Sequence, residues 1–367
     1  MRQVPYLTAC AVGLGVVLGL LVLAIVRSPS AEIENGDRII EVDSGTRMLM
    51  GTFARVVVIA RSERAGQACI EAAFDVQDRI ESLMSYHRED SELNRVNRLA
   101  AQEPVPVNPM TFEVLRQAIR FSELSEGTFD VTVGPLVDLW KAAGEANEPP
   151  SEAALAQARR KVGFQKLILD EKTATVRFAE EGMRIDLGGI AKGYAVDKAV
   201  EAMQKKGALG GMVDLGGNIR CFGRAPRGQQ KWRIGIQDPN VAADDFDGLK
   251  YLLVLELEDV SVATSGDYRR FSVVQGQKQS HVLDPQSGKG ASKLVSGTII
   301  APDAITADAL STAVNVLGTE AGLALIDRLP SVEAIVIPVG GATRLLFSRG
   351  AHAYVDPAYR DAAGGPQ

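Results

Sequence analysis

Strand-length and helix-length patterns follow one another irregularly along this chain, and that irregularity limits its fold more than any other feature. "FARVVVIA" (53–60) is a β-branched run of strand length, while Ala68, Ala72, Val76, Ile80 and Leu83 recur at helical spacing. "NPMTFEVLRQAIRFSELSEG" is bounded as a helix, with Asn108 suited to the N-cap, Pro109 to the first helical position and Gly127 to the C-terminal cap. A further helix begins after Ser151, "LILDEKTATVRF" (167–178) reads as a hairpin, and residues 250–266 read as a strand running into a loop. An amphipathic helix runs roughly from Ala191 to Lys206, two shorter ones lie around 307–317 and 319–328, and the strand "VEAIVIPV" follows. No regular strand-helix-strand beat links these segments. The pattern predicts an α+β fold, one interwoven domain with mixed sheets and flanking helices.

The ends are read differently. From Val4 to Val26 no residue is charged, and 23 residues in a helix reach about 35 Å, enough to cross a hydrocarbon core of about 30 Å. The run is longer than the apolar stretch of most cleaved signal peptides, so 1–27 is expected to be an N-terminal transmembrane helix acting as an anchor, with a cleaved signal segment as the alternative. Arg2 precedes it, and Glu32, Glu34 and Asp37 come soon after, which places the body on the exported face of the cytoplasmic membrane. Residues 28–47 are polar and aperiodic and are expected to be a tether, 48–345 the folded domain and 346–367 a C-terminal tail.

Composition excludes some functions. A net charge of −6 with no basic run argues against a nucleic-acid surface. Cys10, Cys69 and Cys221 have neither paired number nor metal-ligand spacing, so they carry no disulfide framework or zinc site.

"MRIDLGGIAKGYAVDKAV" (183–200) passes from strand-like residues through a carboxylate and two glycines to a lysine at a helix start. Gly188 and Gly189 let a ligand approach the backbone, the helix start offers N–H groups to an anion, and Lys192 adds a full charge. "DLGG" recurs at 214–217, with a single helix between the copies. In "ITADALSTAVNVLG" (305–318), Asp308 and Thr312 share one helical face. One carboxylate and one hydroxyl suit Mg²⁺ shared with substrate phosphates, although the same residues could serve only their own helix. His281, in "SHVLDPQSGKG" (280–290), is a loop histidine able to act as a base near neutrality.

Seven stretches, in order, resemble the FAD:protein FMN transferase (ApbE) family: Met50-Gly51-Thr52, "DSELNRVN" (90–97), "GTFDVTVGPLV" (127–137), "DLGGIAKGYAVD" (186–197), "TSGDY" (264–268), "HVLDPQSG" (281–288) and "ADALSTA" (307–313). The likeness spans residues 48 to about 338. Two departures stand out, Gly189 where alanine is common and Asn94 where serine is usual. The resemblance implies an ApbE-like fold and Mg²⁺-dependent transfer of FMN from FAD to a threonine of an acceptor protein, with a membrane redox subunit as the expected acceptor. It also implies that Met50, Thr128, Phe129, Asp130, Asp186, Lys192 and His281 contact FAD, and that the Gly189 main-chain oxygen, Asp308 and Thr312 hold the metal.

Within that scheme Mg²⁺ and Lys192 offset charge on the pyrophosphate. His281 is expected to take the threonine proton, with Asp308 as the alternative. Two other readings use the same residues: an FAD pyrophosphatase that gives FMN and AMP, and a flavin-binding protein without catalysis.

Overall fold

The computed structural model describes residues 39–226, 228–239, 251–266, 271–340 and 344–360. The proposed anchor, residues 28–38 and Asp267–Tyr268 of the fifth motif lie outside the described residues. Among those described, no helix is long and apolar enough to cross a membrane.

The chain opens with strands β1 (Ile40–Leu49) and β2 (Thr52–Ala60), helices α1 (Glu63–Met84) and α2 (Glu92–Leu99), and the two-residue β3 (Val105–Pro106). Helices α3 (Pro109–Leu124), α4 (Gly134–Ala146) and α5 (Glu152–Arg160), the hairpin β4 (Leu167–Asp170) and β5 (Thr175–Phe178), and α6 (Ala191–Lys205) come next. Strands β6 (Gly210–Leu215), β7 (Asn218–Gly223), β8 (Trp232–Gln237), β9 (Tyr251–Leu257), β10 (Ser261–Gly266), β11 (Phe271–Val274), β12 (Gln277–Ser280) and β13 (Leu294–Ala301) follow. Helices α7 (Ala304–Leu317) and α8 (Thr319–Ile326) and strands β14 (Glu333–Pro338) and β15 (Leu346–Phe347) end the series.

Eight strands form the main sheet in the order β1-β2-β6-β7-β10-β13-β14-β15. Every neighbouring pair is antiparallel, so the sheet is not of mixed direction as the sequence pattern suggested. Chain excursions instead return to the sheet beside the strand they left. β2 and β6 pair directly although residues 61–209 lie between them.

Both faces of the sheet are covered, which explains the unbroken apolar run of β2. Val56 and Val58 face the cluster that includes α1, α6 and α7, while Val57 and Ile59 face Trp232, Ile234, Leu253 and Leu255 of the β8–β9 hairpin. Helix α1 forms as its spacing predicts, but its buried face is Cys69, Ile70, Ala73, Phe74, Gln77, Ile80 and Met84. That stripe lies about one residue round from the predicted one, because small Ala68 and Ala72 are as compatible with the flank as with the core.

Both predicted ends of the body need moving. Residues 40–47, read as tether, form most of β1, whose register shifts between Asp43 and Thr46. An edge strand with one solvated side carries alternating polar residues, and the irregularity breaks even that alternation. At the other end, the segment read as a tail from 346 pairs with β14 and buries Ala351 and Val355 against the second cluster. Residues 134–146 form α4, with Pro135 in the first helical turn where its missing N–H costs nothing. At the end of α3 both Glu126 and Gly127 take positive φ, and Gly127 donates its N–H to the Ser122 carbonyl.

Candidate active site

The turn at 186–193 is built from its own backbone first. The Asp186 carboxylate accepts the Gly188 N–H at 2.7 Å, closing the turn that delivers the chain into α6. Ile190, at the helix N-cap position, makes no side-chain cap bond, so α6 must satisfy its first N–H groups elsewhere. Asp308 of α7 supplies the partner. Its Oδ2 accepts the Gly193 N–H at 2.9 Å, and its Oδ1 lies 3.4 Å from the Lys192 ammonium. Lys192 folds back further to donate to the Gly188 carbonyl at 2.7 Å. Asp308 is buried, so this short-range pairing acts with little solvent screening.

Helix α7 holds that carboxylate in place because it is fastened to the sheet. Ser311 and Ser265 share a hydroxyl hydrogen bond of 2.7 Å, and the Asn315 amide donates to the Ser265 carbonyl at 2.9 Å. One turn beyond Asp308, Thr312 stands against the glycine turn. A Cβ on Gly189 would lie 3.1 Å from Thr312 Oγ1 and 3.3 Å from Phe129 Cε2. Phe129 is buried, edge-on to Phe121. Gly189, Phe129, Lys192, Asp308 and Thr312 thus meet in one place, from segments distant in sequence.

The other predicted site residues fall around this centre in different ways. Asp186 is half-buried, and burial pushes its carboxyl above the usual range while the Gly188 N–H, His87 and Lys192 pull it back. Met50 sits with Gly51 in the β1–β2 turn, both at positive φ. That turn adjoins the second "DLGG", because Gly216 donates its N–H to Phe53 and its Cα faces the Thr52 side chain. In this copy Asp214 accepts the Gly217 N–H at 2.9 Å, and the two glycines turn β6 into β7 instead of opening a helix. His281 is exposed, immediately after β12. Its loop is fastened to the body by Trp140 Nε1 on the Gly288 carbonyl and by Arg159 on the Gln286 carbonyl.

Thr128 and Asp130 face inward. The Thr128 hydroxyl donates to the Ser125 carbonyl at 2.9 Å. Asp130 accepts from the Thr132 N–H, the Thr132 hydroxyl and the Phe164 N–H, all between 2.7 and 2.8 Å. Burial raises its carboxyl and these bonds lower it. Asp130→Ala is therefore expected to cost about 3 kcal/mol of stability, measurable by urea unfolding, because it strips several buried donors of their acceptor. Asn94, the unusual residue of the second motif, donates to the carbonyls of Tyr86 and Arg88 at 2.8 Å. It organises its own loop.

The sequence reading missed Gly193 and Asp197. A glycine inside the first turn of an otherwise regular helix was the available signal, since glycine there is unfavourable unless packing or a ligand requires it.

For a divalent ion the donors are suitable, hard oxygens with one buried carboxylate, and the Gly188 and Asp308 oxygens already attract a cation, the Lys192 ammonium. Among the described residues no group of three or more His, Cys, Asp or Glu is placed to hold a metal ion, so an ion here would need oxygens from a ligand as well.

A sequence profile of the ApbE family matches residues 50–336. The FAD:protein FMN transferase of Treponema pallidum (strain Nichols) is 35% identical over 308 residues, covering 80% of this chain and 84% of that protein. The FAD:protein FMN transferase of Vibrio cholerae serotype O1 is 35% identical over 294 residues, covering 79% and 84%. Among solved structures, an ApbE protein of Thermotoga maritima superposes with a TM-score of 0.76 at 32% identity, over 87% of this chain and 100% of that one. The flavin transferase ApbE of Vibrio cholerae gives a TM-score of 0.71 at 29% identity, over 88% and 99%.

Proposed function

The chain belongs to the ApbE family and is an enzyme, an FAD:protein FMN transferase, and from that premise we propose that its acceptor atom is a threonine hydroxyl and that Mg²⁺ assists at Asp308. The observation that carries this reading is the meeting of Asp308 with the first turn of α6, where Lys192 and the Gly193 N–H converge on one buried carboxylate.

In the reaction, the bond between the flavin-side phosphorus and the oxygen bridging to AMP breaks, and a bond from the threonine oxygen to that phosphorus forms. AMP leaves with the bridging oxygen. The Gly189 carbonyl, Asp308 and Thr312 would hold Mg²⁺, which supplies positive charge to the pyrophosphate oxygens. Lys192 lies at the same point and neutralises charge on the leaving phosphate. Gly188 and Gly189 leave the backbone bare for FAD to approach, with Phe129 as an apolar wall beside Gly189. Met50 and Asp186 border the flavin-binding region. His281 takes the threonine proton as the new bond forms.

Co-production with a candidate acceptor, FAD and Mg²⁺ tests the reading by mass spectrometry. Addition of FMN to a threonine supports it. Free FMN and AMP with an unmodified acceptor would reassign the site to pyrophosphate hydrolysis. Lys192→Met is expected to slow single-turnover transfer by about tenfold or more with little change in FAD affinity, because charge grows on the pyrophosphate as the bond breaks. An unchanged rate would leave Lys192 as a solvated helix residue.

The placement proposed for this enzyme is the cytoplasmic membrane, with residues 1–27 as anchor and the catalytic domain on the exported face, where a membrane redox subunit is the acceptor. Protease added to intact spheroplasts is expected to digest the catalytic domain. Protection of the domain reverses this topology.

A further inference from the structure

Helices α6 and α7 exchange carboxylates. Asp308 of α7 accepts the Gly193 N–H in the first turn of α6. In return, Asp197 of α6 accepts the first two N–H groups of α7, Ala304 on Oδ1 and Ile305 on Oδ2, each at 2.9 Å. Asp303 caps the third, Thr306, from within its own chain segment at 2.9 Å. Between the two carboxylates the helices touch. A Cβ on Gly193 would fall 2.2 Å from the Ala304 carbonyl oxygen and 2.8 Å from Asp308 Cβ.

Arg220 of β7 completes the arrangement by donating to Asp197. The Asp197 side chain is 9% exposed and that of Arg220 25%. A carboxylate this buried, with two backbone donors and a guanidinium, fixes the start of α7 against both α6 and the sheet. The consequence reaches Asp308, which lies one helical turn from the residues Asp197 holds. If Asp308 turns its oxygens toward a cation, it gives up the Gly193 N–H, and the α6–α7 register then rests on Asp197.

We propose that Asp197, braced by Arg220, is a positioning residue that sets the distance between Asp308 and the glycine turn at 188–189 and so sets the affinity of the metal site. This inference rests on the proposed metal site at Asp308. It assigns Asp197 no contact with FAD, metal or acceptor.

The test uses Mn²⁺ as the probe, titrated by electron paramagnetic resonance in the presence of ADP, a diphosphate with no flavin to transfer. Asp197→Asn keeps the shape but loses the charge that holds Arg220 and the two N–H groups. Its Mn²⁺ dissociation constant is expected to rise at least tenfold. ADP affinity without metal should change less than threefold, and FMN transfer should recover as Mn²⁺ is raised. A purely structural role would instead lower the melting temperature and leave the Mn²⁺ affinity of the folded fraction at the parental value, and that result overturns the proposal. Should Asp197→Asn not fold, Arg220→Gln keeps both backbone bonds and removes only the brace. Threefold or greater weakening of Mn²⁺, restored in Arg220→Lys, is expected, and parental affinity in Arg220→Gln overturns the proposal. Asp308→Ala serves as the reference. If Mn²⁺ binds it as tightly as the parental enzyme, the metal site itself is wrong. If only Asp308→Ala loses binding while Asp197→Asn keeps it, the site stands and the positioning role falls.

Discussion

Asp308→Ala is expected to fold and to transfer FMN between a hundred and about a thousand times more slowly than the parental enzyme. The carboxylate is the buried anionic group that meets both Lys192 and the Gly193 N–H. Removing it leaves the Gly193 N–H without its acceptor, a cost of about 1–3 kcal/mol that a domain of this size tolerates. Lys192 keeps its bond to the Gly188 carbonyl and remains partly solvated. Folding and chemistry should therefore separate, with a melting curve near the parental one and single-turnover transfer nearly abolished. Near-normal transfer at ordinary Mg²⁺ concentrations would sink the assignment of Asp308.

Gly193→Val is expected to have the largest effect on stability of any glycine substitution in the turn. An added Cβ would meet the Ala304 carbonyl oxygen at 2.2 Å, its carbon at 2.6 Å and Asp308 Cβ at 2.8 Å. Two of those three atoms are backbone, which cannot rotate away, so α6 and α7 must separate. The loss is about 3 kcal/mol or more, with transfer impaired even where the protein stays folded. Gly188→Ala is the contrast, since its Cβ would meet only Asp186 Oδ1 at 3.0 Å and the position is exposed. Gly189 falls between, against Thr312 and Phe129. Urea midpoints for the three variants give the order directly, and a Gly193→Val protein as stable as Gly188→Ala would show that the helices do not cross this closely.

Much of this was readable from residues alone where one physical cause dominates. The apolar run of β2, the Asn108-Pro109 start of α3 and the hairpin at 167–178 each follow from local chemistry. So does the shared face of Asp308 and Thr312 on α7. What stayed hidden depends on partners far along the chain. The polar residues of β1 are strand-forming only because β2 lies beside them. Asp130 looks like a ligand-facing acid until Phe164 and Thr132 are seen to surround it. Gly193 looks like a helix defect until α7 is laid across it.

The direct pairing of β2 with β6 across residues 61–209 has a kinetic meaning. Contacts of such long range form slowly, because the intervening chain must be ordered before they repay its loss of freedom. The Gly193–Asp308 bond joins residues 115 apart, so the glycine turn leaves the ribosome well before its carboxylate exists. Flavin capture is consequently a late event in the life of the nascent chain, and the enzyme cannot begin work as a half-made protein.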